Sequence, residues 1–256
     1  MTWLDSIILG IVEGITEFLP ISSTGHLILT STLLGLPSTE FLKSYEIAIQ
    51  LGAIAAVVVL YFKSFFDIEI LKRIAVAFIP TGVIGLLLHD VVKTYLLGNV
   101  SVVLWSLALG GVALIVFELL HKENEATESD IRTITYTQAF MVGLFQALAI
   151  VPGVSRSAAT IVGGLLVGIR RVAIVEFSFL LAVPVMAAAT GLDLLKTASV
   201  FTTADMLNLG IGLVVSFVVA IISIRFLLQY VRKHTFIPFG IYRILIALAF
   251  FFLVLR

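Results

Sequence analysis

Residues 13–26 read EGITEFLPISSTGH, and residues 151–160 read VPGVSRSAAT. Each stretch places proline, glycine, hydroxyl and charged residues in the middle of an otherwise apolar segment. Non-helical backbone at membrane depth is tolerated only where protein or water shields it. The two surrounding segments, 4–36 and 136–168, are therefore predicted to be re-entrant helical hairpins instead of clean spans.

The rest of the chain is strongly apolar. Of its 256 residues, 60% are hydrophobic and 12% are charged, whereas an ordinary globular domain carries about 25% charged residues. The charged residues fall mostly in short islands between apolar runs that are long enough to span a bilayer. This pattern predicts an all-α polytopic membrane protein with six full spans, at 45–62, 74–88, 100–120, 175–195, 207–230 and 237–255.

The two halves of the chain resemble each other. Laying one hairpin over the other at a constant offset pairs Gly10 with Gly143, Glu13 with Gln146 and Ser22 with Ser155. Each copy then holds one hairpin and three spans, and an odd number of crossings inserts the second copy upside down. The sequence predicts two inverted repeats, 1–120 and 134–256, joined by a hydrophilic linker at 121–133.

Basic residues in the loops predict the orientation, because cytoplasmic loops are rich in Lys and Arg. One side holds Lys63, Lys72, Arg73, Lys122, Arg132, Arg170, Arg171, Arg232 and Lys233, and the other holds Lys43, Lys93, Lys196 and Arg256. The richer side is predicted to be cytoplasmic, so that both termini and the mouth of the first hairpin face outward. The segment from Met1 to Pro20 lacks a basic region and contains acids, which argues against a cleaved signal peptide.

The first hairpin carries two acids that need compensation. Glu13 and Glu17 are four residues apart, so both carboxylates project from one face of a helix. Each unpaired charge inside a membrane segment costs at least about 2.5 kcal/mol. A divalent cation, a shared proton or an arginine from the other repeat are the physical options.

The same hairpin contains a predicted helix start at mid-membrane. Pro20 ends the first half-helix, and Ser22 or Ser23 is placed to cap a second helix that begins at Thr24. The free backbone N–H groups and the positive end of the helix dipole form an anion site. Ser23 and His26 are three residues apart on the same face, which pairs a hydroxyl with a base.

The second hairpin adds a positive charge. Arg156 lies between Ser155 and Ser157 at another predicted helix start, where a guanidinium and backbone N–H groups together match a phosphate. If the two hairpins meet near the midplane, acids, serines, a histidine and an arginine converge on one cavity. That set suits phosphoryl transfer, which requires an in-line nucleophile and cations around the equatorial oxygens.

These motifs closely resemble the two signatures of the bacterial undecaprenyl pyrophosphate phosphatase family, of the bacitracin-resistance type. The resemblance extends to residues 50–52, 176–184 and 237–243 and covers nearly the whole chain. It implies removal of the terminal phosphate from the C55 isoprenyl diphosphate, with a divalent cation such as Mg²⁺ or Ca²⁺. It also implies active-site roles for Glu13, Glu17, Ser23, His26 and Arg156.

Our mechanistic hypothesis from the sequence is that Ser23 attacks the terminal phosphorus with His26 as its base. Arg156 clamps the phosphoryl oxygens, and Glu13 and Glu17 hold the cation. His26 as the direct nucleophile is the variant. The remaining polar groups are predicted to bind substrate: Ser22, Thr24, Gly25, Ser155, Ser157, Thr160 and Gln50. Two further arginines, Arg225 and Arg243, are expected to reach the membrane interface by snorkelling.

The main alternative is an inverted-repeat transporter or flippase for a lipid phosphate or another anion. A structural scaffold leaves the buried charges unexplained. The expected partners are the polyprenyl diphosphate and membrane lipids, with a homodimer as one option, and a net charge of zero gives no support for nucleic acid. The expected location is the bacterial cytoplasmic membrane, with the active site opening to the outer, periplasmic side.

Overall fold

The computed structural model describes residues 1–96, 99–121, 130–197 and 202–254, and within these ranges the regular structure is entirely helical. Short 3₁₀ turns lie at Phe62–Phe66, Ile131–Thr133 and Leu148–Ile150, and a π-helical turn lies at Val92–Leu96. The α-helices of the described residues are α1 (Trp3–Thr16), α2 (Ser23–Leu33), α3 (Glu40–Leu60), α4 (Ile68–Val91), α5 (Val100–Leu120), α6 (Tyr136–Ala147), α7 (Arg156–Leu166), α8 (Arg171–Thr197), α9 (Thr203–Tyr230) and α10 (Ile237–Val254).

Five of these helices are long and apolar enough to cross a membrane: α3, α4, α5, α8 and α9. Helix α10, the sixth predicted span, falls among the shorter apolar helices over its residues Ile237–Phe252. Most of the predicted linker, residues 122–129, lies outside the described residues. The prediction of a multi-pass helical membrane protein is confirmed in this form.

Both predicted hairpins contain a helix, a break and a second helix. Helix α1 ends at Thr16, a turn containing Pro20 follows, and α2 begins at Ser23, one residue before the predicted start. In the second hairpin, α6 and a 3₁₀ turn lead to a break, and α7 begins at Arg156 as predicted. The two helices of each hairpin pack against each other.

Local features of the first hairpin recur in the second. Thr2 and Asp5 form a reciprocal capping box at the start of α1, and Thr135 and Gln138 form the same arrangement at the start of α6. Each box satisfies two N–H groups that the first turn of a helix leaves unpaired. The sequence similarity between the halves therefore extends to their local structure.

Helices from the two halves pack against each other in a reciprocal way. Helix α1 lies on α9, α6 lies on α4, and α5 lies on α10. Glycines allow the close approach: a Cβ atom added to Gly143 of α6 would lie 2.0 Å from the Ala77 carbonyl oxygen of α4. On the other side, a Cβ atom at Gly10 of α1 would lie 2.9 Å from the Gly212 carbonyl oxygen of α9. Small residues at helix crossings are typical of membrane bundles.

The basic loops at one end of the bundle contact one another. Arg132 donates to Asp67 at 2.8 Å, and Arg73 donates to the Ile134 carbonyl oxygen at 2.5 Å. The hydrogen bond from Arg132 keeps the pKa of the Asp67 carboxyl below its ordinary value. Arg171 and Glu118 form a buried pair at 2.5 Å in the same region. The charge pattern assigned these loops to one side of the membrane. Their contacts place them at a common end of the bundle.

Candidate active site

The breaks of the two hairpins meet in the interior. The Ser157 hydroxyl of the second hairpin donates to the Leu19 carbonyl oxygen of the first at 2.8 Å. Beside this contact lies an open cavity of about 100 Å³. It is lined by residues of both breaks and of two flanking helices: Glu17, Ser22, Ser23, Thr24, Gln50, Ala149, Val151, Pro152, Gly153, Ser155, Arg156 and Met186. The predicted convergence of the two motifs is therefore present.

Two serines hold the helix starts at this cavity. Ser22 accepts from the Gly25 N–H at 3.3 Å, and Ser155 accepts from the Ala158 N–H at 3.2 Å. Both serines have positive φ, at 74° and 81°, which non-glycine residues rarely adopt. Such conformations cost about 1–3 kcal/mol and persist only when the surroundings enforce them. The two turns are thus held in a matched, strained geometry.

Glu17 is the centre of the polar network. One carboxylate oxygen accepts from the Ser23 hydroxyl at 2.5 Å, and the other accepts from Arg156 at 2.6 Å. The side chains of Glu17 and Arg156 are only 5% and 12% exposed. The acid of the first hairpin is therefore compensated by the arginine of the second, which is one of the three options that the sequence left open.

Arg156 is held by more than its ion pair. Its Nη1 donates to the carbonyl oxygen of Ser178 at 3.1 Å, and its guanidinium lies 5.7 Å from the ring centre of Phe18. The Nε–H group is buried and has no hydrogen-bond partner among the described residues. One donor of the guanidinium is thus left without a protein partner.

His26 forms no hydrogen bond with the Ser23 hydroxyl in this structure. Its Nδ1 lies 2.7 Å from the Ser22 carbonyl oxygen, and its Nε2 lies 2.9 Å from the Tyr242 hydroxyl. A carbonyl oxygen only accepts, so Nδ1 carries a proton; when the ring is neutral, Nε2 accepts from the Tyr242 hydroxyl. Both ring nitrogens are occupied, and His26 is absent from the cavity lining. The hydroxyl–imidazole contact expected from the three-residue spacing is not formed.

Glu13 presents a different environment from Glu17. It is wholly buried, and neither carboxylate oxygen has a hydrogen-bond partner among the described residues. An uncompensated buried carboxylate is costly, so this side chain calls for a cation or a proton. No group of three or more His, Cys, Asp or Glu residues in the described ranges is placed to hold a metal ion. Mg²⁺, however, often binds through one or two carboxylates together with substrate phosphates and water. Glu17 lines the cavity and Glu13 is not among the lining residues, so a cation held in that way would reach the substrate through Glu17.

The remaining predicted binding residues divide into two groups. Thr24 and Gln50 line the cavity, together with the two capping serines. Gly25 and Thr160 lie behind it: Thr160 contacts the Ser178 hydroxyl at 2.6 Å, and Gly25 is buried. Ser157 joins the two hairpins, as described above. The sequence prediction thus mixes cavity residues with their supports.

Two residues of α10 make contacts near the site that the sequence did not predict. Arg243 is fully buried, so the expectation that it snorkels to the interface is wrong. Its neighbour Tyr242 holds His26. Both lie in the segment 237–243 that carries the family resemblance, and Arg243 lies in the second turn of an apolar helix, where an ionisable residue indicates function by default. That signal indicates a role for Arg243 but does not identify its partners. Ser178 and Met186, which contact Arg156, have no such signal.

The comparisons with known proteins agree with this arrangement. The family described as bacitracin resistance protein BacA matches residues 6–249. The chain belongs to this family. A protein of Sulfurihydrogenibium and one of Aquifex aeolicus, both named undecaprenyl-diphosphatase, are each 52% identical over 251 residues, which is 98% of this chain and 99% and 98% of theirs. A protein of Methanococcus aeolicus with the same name is 46% identical over 246 residues, or 96% of each chain.

A family member with this cavity has the elements of a group-transfer site. It combines a hydroxyl on a carboxylate, a guanidinium, and two helix starts whose first N–H groups have no partner within their own helix. Anions bind well at such helix starts. The arrangement can therefore bind a phosphate and present a nucleophile to it.

Proposed function

We propose that this protein is an integral membrane phosphatase that hydrolyses undecaprenyl diphosphate to undecaprenyl phosphate and inorganic phosphate. The observation that carries the proposal is the Ser23 hydroxyl donating to Glu17, whose other oxygen pairs with Arg156. A carrier must bind an anion, but it has no need of a hydroxyl held on a carboxylate. The name shared by the relatives supplies the substrate, and the family name implies a role in bacitracin resistance through recycling of the lipid carrier.

In the proposed reaction, the Ser23 oxygen attacks the terminal phosphorus while Glu17 takes the hydroxyl proton. The bond between the terminal phosphorus and the bridging oxygen breaks, and undecaprenyl phosphate leaves. Glu17 passes the proton that it took from Ser23 to the departing undecaprenyl phosphate. Water then attacks the phosphoserine, and Glu17 takes a proton from that water and returns it to the Ser23 oxygen, which releases inorganic phosphate and the free serine. Glu17 replaces His26 as the base because Glu17 is the group that Ser23 contacts. His26 instead holds the Ser22 carbonyl group and thereby the turn that carries Ser23.

Arg156 has a second task in this scheme. Before substrate binds, its Nη2 is paired with Glu17. A terminal phosphate in the cavity provides a stronger, multiply charged partner, and planar guanidinium groups match phosphate oxygens in pairs. Arg156 then stabilises the charge on the transferring group, which is where most catalysis of phosphoryl transfer arises.

We also propose that a divalent cation, Mg²⁺ or Ca²⁺, acts with Glu13 and Glu17. When bound, it would neutralise charge on the diphosphate oxygens. The support is the pair of unpartnered oxygens on Glu13, one helical turn from Glu17.

Phosphate release tests the proposed function. Purified protein in detergent, supplied with a short-chain isoprenyl diphosphate and Mg²⁺ or Ca²⁺, is expected to release inorganic phosphate. Removal of divalent ions with EDTA should lower the rate by at least about tenfold, since a bound cation contributes several kcal/mol to charge stabilisation. Absence of phosphate release with either cation present would contradict the enzyme function. An EDTA-insensitive rate would contradict only the role of the cation.

The architecture that we propose is a pair of inverted repeats with re-entrant hairpins. It is supported by the capping boxes that recur at the start of both hairpins and by the reciprocal packing of α1 on α9 and α6 on α4. We further propose that the protein lies in the bacterial cytoplasmic membrane with its cavity open to the outer side. The basis is the excess of basic residues in the loops at the opposite end.

Single cysteines test this orientation, because the chain contains no cysteine of its own. Ser38→Cys and Lys63→Cys introduce exposed thiols in loops assigned to opposite sides. In intact cells, an impermeant maleimide is expected to label Ser38→Cys from outside and to label Lys63→Cys only after lysis. The reverse pattern would overturn the orientation.

A further inference from the structure

Arg243 of α10 is wholly buried, yet all five of its N–H groups have carbonyl partners. The guanidinium of arginine has one donor at Nε and two at each Nη atom. The bonds run from Nε to Leu107 at 3.3 Å, from Nη1 to Pro20 at 3.4 Å and Val154 at 3.0 Å, and from Nη2 to Ser106 at 3.0 Å and Gly153 at 2.9 Å. The number of acceptors matches the number of donors.

These carbonyl groups belong to three separate segments. Pro20 lies in the break of the first hairpin, Gly153 and Val154 lie in the break of the second, and the other two acceptors lie in α5. Carbonyl groups outside regular helix at membrane depth have no water to satisfy them and are costly when unpaired. Among the described residues, no carboxylate forms an ion pair with Arg243. Carbonyl dipoles therefore hold its positive charge.

Glycines of α5 make the space that the guanidinium occupies. A Cβ atom at Gly110 would lie 2.0 Å from Nη2 and 2.8 Å from Cζ of Arg243. At the neighbouring position, a Cβ atom on Gly111 would lie 2.7 Å from the Gly240 carbonyl oxygen of α10. The pair Gly110–Gly111 thus brings α5 and α10 together and leaves a slot for one side chain.

Only one residue separates this guanidinium from the cavity. Gly153 lines the cavity and also gives its carbonyl group to Arg243. Two further carbonyl groups of the first break are held away in the same manner, Leu19 by Ser157 and Ser22 by His26. With their carbonyl groups engaged from behind, the breaks can present N–H groups to an anion in front.

We propose that Arg243 is a positioning residue for phosphoryl transfer: it ties the breaks of both hairpins together by their carbonyl groups and so aims their N–H groups at the transferring phosphate. The inference rests on the proposed phosphatase function and assigns Arg243 no contact with substrate. Its effect is on the alignment of donors with the transition state, where the loss of one aligned donor lowers kcat by about 10²–10³-fold.

Two variants disturb this arrangement from different sides. Arg243→Lys keeps the charge but offers three donors from a single nitrogen, so it cannot reach five dispersed carbonyl groups. Gly110→Ala keeps the arginine but adds a methyl group 2.0 Å from the position of its Nη2 atom, so the guanidinium must move. The matched controls are Arg225→Lys, at an exposed arginine of α9, and Gly85→Ala, whose added Cβ atom meets nothing within 4 Å.

The experiment measures kcat and KM for a short-chain isoprenyl diphosphate in detergent, with the folded fraction of each variant taken from its thermal unfolding curve. Assays run well below the unfolding midpoint, so that instability does not lower the rate. We expect kcat per folded molecule to fall by at least about 30-fold in Arg243→Lys and in Gly110→Ala. KM should stay within about threefold of wild type, and both controls should stay within about threefold in both constants.

A purely structural role gives a different result. In that case kcat falls only in proportion to the unfolded fraction, and the folded molecules turn over at the wild-type rate. A kcat within threefold of wild type for folded Arg243→Lys or folded Gly110→Ala would overturn the proposal. Because wild-type phosphate release is measured in the same assay, failure of the phosphatase function is seen separately, as inactivity of the wild-type protein.

Discussion

Ser23→Ala is expected to lower kcat by at least about 10²-fold, because it removes the oxygen that attacks phosphorus. The hydroxyl is buried at the cavity and lies 2.5 Å from a Glu17 oxygen, so no other hydroxyl of α2 shares its position. The substitution removes one atom and one hydrogen bond, so we expect little change in the fold. The measurement is the rate of phosphate release at saturating substrate, divided by the amount of folded protein, which is taken from the thermal unfolding curve.

Thr32→Ala is the matched control for the loss of a hydroxyl from α2. Thr32 is exposed and donates only to the Ile28 carbonyl oxygen of its own helix. Its variant should retain activity within about threefold of wild type. Activity of Ser23→Ala within about threefold of wild type would remove Ser23 from the reaction and favour direct attack by water or by His26.

Glu17→Gln is expected to reduce kcat by about 10²–10⁴-fold, the range for loss of a general base. The amide keeps the shape of the side chain but cannot take the proton of Ser23. It also leaves the buried charge of Arg156 without a negative partner, and breaking a buried ion pair in this way destabilises a protein by about 3–5 kcal/mol. Both kcat and the thermal midpoint should therefore fall.

The exposed pair of Glu40 and Lys43 provides the control for this substitution. Their side chains are 58% and 43% exposed, and surface pairs of this kind contribute only about 0–1 kcal/mol. Glu40→Gln should leave activity and stability nearly unchanged. If Glu17→Gln retained near-normal kcat while a His26 variant lost it, the base would be His26, as first expected from the sequence.

Much of the fold was predictable because its signals are local. Pro20, the capping serines and the apolar runs each act within a few residues, and the breaks and most helices lie where these signals place them. Helix α2 starts one residue earlier than predicted, because Ser22, one of the two serines that the sequence offered as the cap, is the N-cap. Pairing of α1 with α9 depends on glycines far apart in the chain, so local patterns could not identify it.

The sequence predicted which residues gather at the site better than it predicted which of them contact each other. Helical spacing placed Ser23 and His26 on one face, and both do lie in the first turn of α2, but a shared face does not fix the partner of either side chain. The break between α1 and α2 instead folds Glu17 back onto Ser23, while His26 turns toward Tyr242. Snorkelling of Arg243 is expected from its distance to the helix end, but that distance does not measure access to water: the partners of Arg243 include carbonyl groups of two breaks that lie far from it in the chain.

The stereochemical course at phosphorus tests the central claim most directly, namely that Ser23 is the nucleophile of a two-step transfer. An isoprenyl diphosphate whose terminal group is a chiral thiophosphate carrying two oxygen isotopes is hydrolysed in water labelled with the third, and the configuration of the released thiophosphate is determined. Each in-line displacement inverts phosphorus, so transfer to Ser23 followed by attack of water predicts overall retention. Overall inversion would mean a single displacement by water and would contradict the account.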